Sequence, residues 1–159
     1  IIAETAKRAQ NSNLNFQFTF VGDVEEIVSP SQLPNCNFYG KIEDKDTLKD
    51  IISHSDILII PDGGEEIPEY LGESMCLGKP IISLASGPMA EFVEDGVNGF
   101  LVPPDKEPKK IAEDLFIALS VIASDNDTLV RMAASSFRKA GELFNKKKYY
   151  EKWKKVISK

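Results

Sequence analysis

Three glutamates stand at regular spacing in one short stretch: Glu65, Glu69 and Glu73. Glu69 and Glu73 are four apart, which on a helix places both carboxylates on one face. Such a like-charge pair costs about 0.2–0.5 kcal/mol in an isolated helix. No basic residue at the neighbouring positions of the sequence offsets it. Carboxylates held there would accept hydrogen bonds from a ligand's hydroxyls, or stand as side chains screened by solvent. The stretch Pro61-Asp62-Gly63-Gly64-Glu65-Glu66-Ile67 reads as a loop that opens a helix at Pro68. With Pro68 as first helical residue, the N-cap is Ile67, which has no side-chain oxygen. The N–H groups of Glu69, Tyr70 and Leu71 are then open to an anion at the positive end of the helix dipole. Water would serve them too, with Glu65, Glu66 and Glu69 complementing the dipole.

Other chemistries have less support. A single histidine, His54, leaves no material for a histidine metal cluster, and it reads as a partly exposed helix residue. No G-x-S-x-G elbow, Walker loop or G-x-G-x-x-G occurs. Gly22-Asp23 after a strand is a weak signal, since the pair often marks only a turn.

The elements that would position these residues alternate along the chain. A helix is expected over residues 2–10, ended by Asn11-Ser12-Asn13, then a strand over 15–21 with alternating Phe. A weak helix is suggested around residues 25–33, disturbed by Pro30 and Pro34. Asn37-Phe38-Tyr39 reads as a short strand closed by Gly40, and Asp46 as the cap of a helix over 47–53. Residues 57–60 form a continuous apolar run, expected to be a strand buried on both faces. A helix over 68–77 stops at Gly78, and Pro80 forbids its continuation. A buried strand over 80–84, a short helix over 88–93 and a strand over 100–102 follow. Asp105 is the expected cap of the next helix, and Asp125 or Asn126 that of another reaching Phe144. This alternation predicts a doubly wound α/β domain with a mostly parallel sheet and three layers. Its ligand crevice lies beyond the carboxyl ends of the strands, at Gly22-Asp23, residues 40–46, residues 61–67 and residues 85–87.

The chain has 159 residues, 42% of them hydrophobic, with 19 basic and 25 acidic groups. That suits one domain with a single core and is too apolar for disorder. The acidic balance of −6 argues against a nucleic-acid partner, which demands a basic surface. No apolar run approaches the roughly 20 residues of a membrane-spanning helix. Two cysteines, Cys36 and Cys76, make no disulfide framework and suit reduced thiols in a cytoplasmic setting. Gly141 to Lys159 carries seven Lys and two Glu, a local +5. It predicts an amphipathic helix with Leu143, Tyr149, Trp153 and Ile157 near one stripe. That helix would dock on the body, or touch an anionic membrane surface peripherally at its inner face. Because the chain begins at Ile1 without Met, a fragment is expected.

The run SDILIIPDGGEEIPEYLGESMCLGKPIISLASGPMAEFVEDGVNGFLVPP carries a family signature. It resembles the donor-binding, C-terminal half of retaining glycosyltransferases of the GT-B fold, family 4. The mark is a Glu, seven residues and a second Glu, here Glu65 and Glu73, leading into Ser74-Met75-Cys76-Leu77-Gly78-Lys79-Pro80. EDGVNGFLVPP and, upstream, FTFVGD and NFYGKIEDKDTL are similar to the family as well. The resemblance covers nearly the whole chain.

The resemblance implies a Rossmann-like half of a GT-B enzyme that transfers a hexose from a nucleotide-diphosphate sugar with retention. Glu65 would hold the donor sugar's hydroxyls and orient its anomeric carbon, as catalytic residue. Glu73 would accept from the ribose hydroxyls. The backbone at Gly64, Glu69, Tyr70 and Leu71 would face the diphosphate. Ile42, Asp44 and Thr47 would lie beside the base, with Gly22 and Asp23 near the same crevice. No cofactor and no metal are expected, the nucleotide sugar being a substrate. The acceptor, a glycan, lipid or other molecule, would bind through an N-terminal domain. Two positions depart from the family: Glu66 where Gly is frequent, and Glu69 where Asn or a small residue is frequent. Relatives neutralise the diphosphate with an Arg and a Lys in the loop after the domain's first strand. This chain is expected to begin inside the following helix, so that the fragment alone would be inactive. A non-catalytic GT-B relative and an epimerase-type GT-B enzyme are the alternatives.

Overall fold

A computed structural model of the chain describes residues 1–12, 14–22, 31, 33–61, 64, 66–104, 107–147, 151 and 154. Helices and strands alternate among them: α1 (Ile2–Gln10), β1 (Phe18–Phe20), β2 (Cys36–Phe38), α2 (Lys45–Ser53), β3 (Leu58–Ile60), α3 (Glu69–Cys76), β4 (Ile81–Leu84), α4 (Met89–Phe92), β5 (Gly99–Val102), α5 (Pro108–Ala123) and α6 (Asn126–Leu143). Every ladder is parallel. Phe18 pairs with Cys36, Leu58 with Ile81, and Ile81 with Gly99. β3, β4 and β5 form one ladder set in that order, and β1 with β2 another.

Successive side chains of a strand point to opposite faces, and here each face meets helices. Phe18, Phe20, Ile82, Leu84 and Val102 share one cluster with Ala6 and Ala9 of α1 and with Ile111, Leu115, Leu119 and Ile122 of α5. Ile60 and Ile81 share the other with Leu71 and Met75 of α3 and with Met89 and Phe92 of α4. α6 spans both, placing Met132 in the first and Ala140 in the second. The result is the expected three-layer α/β/α arrangement. All four residues of β4 are buried, as a parallel strand covered on two faces must be.

The structure corrects several local expectations. β1 covers only 18–20 of the expected 15–21. The N-cap of α2 is Asp44, not Asp46. α3 starts one residue later than expected, with Pro68 as N-cap. β3 packs against helices on both faces but is only partly covered: Leu58 and Ile59 are half-buried and only Ile60 is fully buried. Its side away from β4 has no paired strand among the described residues. α5 begins at Pro108 after Glu107, with no side-chain cap, while Asp105 lies outside the described residues. Proline suits that first position because its missing N–H is one that no helix satisfies. Asp125 caps α6 as expected, its carboxylate accepting from the Asp127 and Thr128 amides. The weak helix around 25–33 falls mostly outside the described residues, as do Tyr149, Trp153 and Ile157 of the basic tail. No described helix is long and apolar enough to cross a membrane.

Candidate functional site

The turns leaving β1 and β2 are tied together, the Gly22 amide donating to the Gly40 carbonyl at 2.7 Å. Gly22 has φ +117°, in the region that L side chains avoid, so glycine is required there by backbone alone. Asp23, its expected partner, lies outside the described residues.

Lys41 to Asp44 lead from β2 into α2. Ile42 is half-buried, while Asp44 and Thr47 are exposed. Asp44 Oδ2 accepts from the Thr47 amide at 2.8 Å and from the Thr47 hydroxyl. Those two bonds hold the Asp44 carboxyl below the usual carboxylate range. The pair expected beside a ligand's base is therefore already committed to the helix start, leaving only its outer atoms for contact.

After β3, Gly64 is exposed, and Asp62, Gly63 and Glu65 lie outside the described residues. Pro68, in extended conformation, offers α3 no side-chain cap. The three amides expected to stand open do not all do so. Leu71 N–H donates to the Pro68 carbonyl at 3.0 Å, a tight i→i−3 bond of the first turn. Tyr70 has a partner as well. The Glu69 amide shows none among the described residues. Leu71's side chain is fully buried in the second cluster, and Tyr70 packs against that cluster half-buried.

Glu69 and Glu73 are both exposed, as the like-charge reading requires. Glu69 is nevertheless offset. Lys45 Nζ lies 3.2 Å from its Oε2, the two side chains being 81% and 88% exposed. So exposed a pair adds little net stability, but it places a cation between the starts of α2 and α3. Sequence inspection missed Lys45 because it lies 24 residues from Glu69. No periodicity within one element could reveal that contact.

Behind the crevice the scaffold is tightly bonded. Lys79 Nζ donates to the carbonyls of Ser53 at 2.9 Å and Ser55 at 2.5 Å, and Ser136 Oγ donates to the Lys79 carbonyl at 2.7 Å. Asn98, fully buried, donates to the Phe92 carbonyl at 3.0 Å and accepts from the Glu94 amide at 2.7 Å. Asp95 Oδ1 accepts from the Leu101 amide at 2.9 Å. The Glu94-to-Gly99 run thus acts as a turn lock between α4 and β5, centred on the buried Asn98. The ring of Phe144 packs over Gly72 of α3 and stacks at 6.2 Å on Phe92.

Residues 1–121, which include all of these crevice turns, match the family model described as glycosyl transferases group 1. The chain belongs to the glycosyl transferase group 1 family. The group 1 chain is 26% identical over 100 residues to the amylovoran biosynthesis glycosyltransferase AmsK of Erwinia amylovora, which covers 55% of this chain and 25% of that protein. Its fold is similar to the pneumococcal O-GlcNAc transferase GtfA in complex with UDP and GlcNAc, at TM-score 0.80 and 24% identity over 99% of this chain and 32% of that one. It is also similar to Anabaena HepE in complex with UDP (TM-score 0.69, 21% identity, 97% and 43%). A third similar structure is the C-terminal domain of the group 1 protein LpcC from Francisella tularensis (TM-score 0.73, 17% identity, 90% and 77%). The fold is that of a GT-B Rossmann-like domain. This group 1 chain spans about a quarter of the length of AmsK and about a third of GtfA.

Proposed function

We propose that the chain is the nucleotide-sugar-binding domain of a hexosyltransferase that works with retention of anomeric configuration. The observation that carries the reading is the convergence of the α2 and α3 starts on one crevice within the residues the family model matches. The diphosphate of the donor would lie at the start of α3, where the helix dipole favours negative charge and no side chain caps the helix. Glu73, exposed one turn further on, would accept from the ribose hydroxyls. Glu65, eight residues before it, would hold the sugar's hydroxyls and orient the anomeric carbon by positioning rather than by proton transfer. Ile42, Asp44 and Thr47 would border the base.

Departure of the diphosphate leaves charge that fixed dipoles stabilise, while an oxocarbenium-like state develops on the sugar. The proposed transfer calls for no metal and no cofactor. The complexes of GtfA and HepE with UDP favour a uridine nucleotide as the first donor to try. Titration calorimetry of the full-length protein with UDP-, GDP- and ADP-sugars tests the reading: one of the three should bind, and no heat with any of them refutes it. Glu65→Ala should abolish transfer with the donor that binds. Retained transfer by that variant refutes the role of Glu65.

A further inference from the structure

Gly72 sits inside α3, between Glu69 and Glu73. Glycine is a poor helix former, second only to proline, and no positive φ asks for it at this position. Space does. A Cβ at Gly72 would stand 3.1 Å from Cζ of Phe144 and 3.3 Å from its Cε2, so close that ring or helix would have to give way. The glycine is therefore the seat of the Phe144 ring.

That ring closes one flank of the first turn of α3. Phe144 is the C-cap of α6, its amide donating to the Ala140 carbonyl at 2.8 Å. Its ring stacks at 6.2 Å on Phe92, which belongs to the cluster that also holds Leu71 and Met75 of α3. α6 runs antiparallel to α3 and meets it at two levels. At the far end Gly78 lies against the Ala133 carbonyl, and Ser136 Oγ donates to the Lys79 carbonyl at 2.7 Å. At the near end the contact is the Phe144 ring on Gly72. Leu71, fully buried, sets how close α3 lies to the sheet. The ring limits how far the helix can roll about its own axis or slide toward α6. No side chain caps this helix start, so the packing around it decides where its groups point.

We propose that Phe144 is a positioning residue for the donor, acting through Gly72 on the adjoining Glu73 and on the Glu69 amide earlier in the same turn. The inference rests on the nucleotide-sugar reading of the crevice. Phe144 acts on the donor through the helix rather than by contact, so its loss weakens binding without touching the reacting atoms.

Steady-state kinetics and titration calorimetry on the full-length protein test it, with whichever of the UDP-, GDP- and ADP-sugars the parent binds. Phe144→Ala should raise the donor KM and Kd about five- to tenfold while kcat stays within about twofold, the pattern of lost uniform binding. Phe144→Tyr keeps the ring and should stay within about twofold of the parent in KM and kcat. Gly72→Ala displaces the ring without removing it and should raise KM to a similar degree. In the Phe144→Ala background Gly72→Ala should add nothing, because the ring it would strike is gone. Where Phe144→Ala does not fold, Gly72→Ala against the parent decides by the same KM-against-kcat split. Single variants with the parent's KM, or losses that simply add in the double variant, overturn the proposal and leave the nucleotide-sugar reading standing. A parent that binds none of the three sugars refutes that reading, and the proposal falls with it.

Discussion

Lys45 Nζ stands 3.2 Å from Glu69 Oε2, joining the first residue of α2 to the first residue of α3 across the mouth of the crevice. The contact offsets the Glu69 carboxylate, one of the acids that would oppose an anion at the start of α3. Lys45 is thus a cation at that helix start, exposed and free to turn from Glu69 toward the diphosphate that the proposed function places there.

Lys45→Glu should therefore weaken nucleotide-sugar binding by about tenfold at low salt, with little change in melting temperature, since exposed ion pairs add little to stability. The difference from the parent protein should shrink as ionic strength rises, because the charges are solvent-exposed. Calorimetric titration at two salt concentrations reads both effects. Equal affinity of variant and parent at low salt would remove Lys45 from the site.

Acid sensitivity has two named contributors. Asp44 is held below the usual carboxylate range by Thr47, and Asp125 by Thr128 and the Asp127 amide. A carboxyl whose folded pKa is lowered stabilises the fold above its unfolded value, here 3.8, and that contribution disappears as pH falls through the lowered folded value. Thermal melts should show stability dropping from pH 5 toward pH 2. The double variant Asp44→Asn, Asp125→Asn should show a shallower drop, and an unchanged slope would reject the assignment.

Asn98→Ala should be the costliest polar truncation in the domain. It strands the Phe92 carbonyl away from water, at about 1–3 kcal/mol, and leaves the part-buried Glu94 amide without its acceptor. Urea unfolding followed by circular dichroism measures the loss. A change under about 0.5 kcal/mol would mean the turn relaxes to re-pair these groups.

Fold class was legible because the uninterrupted apolar run of residues 57–60 and the regular exchange of strand and helix have one economical solution, a parallel sheet covered on two faces. Local starts were less legible. Asp44 and Asp46 are equally good caps on paper, and only the backbone decides between them. A tight first turn at Pro68 closes the Leu71 amide that sequence reading left open. The half-exposure of Leu58 and Ile59 depends on what packs beside β3 in three dimensions, which no property of the run itself encodes. The resemblance placed Glu65 and Glu73, and the described structure adds Glu73 on an exposed turn of α3 and Lys45 beside Glu69.

α2 and α3 are pinned at both ends. Lys79 holds the Ser53 and Ser55 carbonyls at the far end of α2, and Lys45 meets Glu69 at the near end. The Lys79 bonds set how the two helices lie against each other before any guest arrives, while the exposed Lys45–Glu69 contact adds little to that. Little ordering remains to be done on this wall, so its contribution to affinity should appear as a lock already cut to shape rather than one that closes on its key.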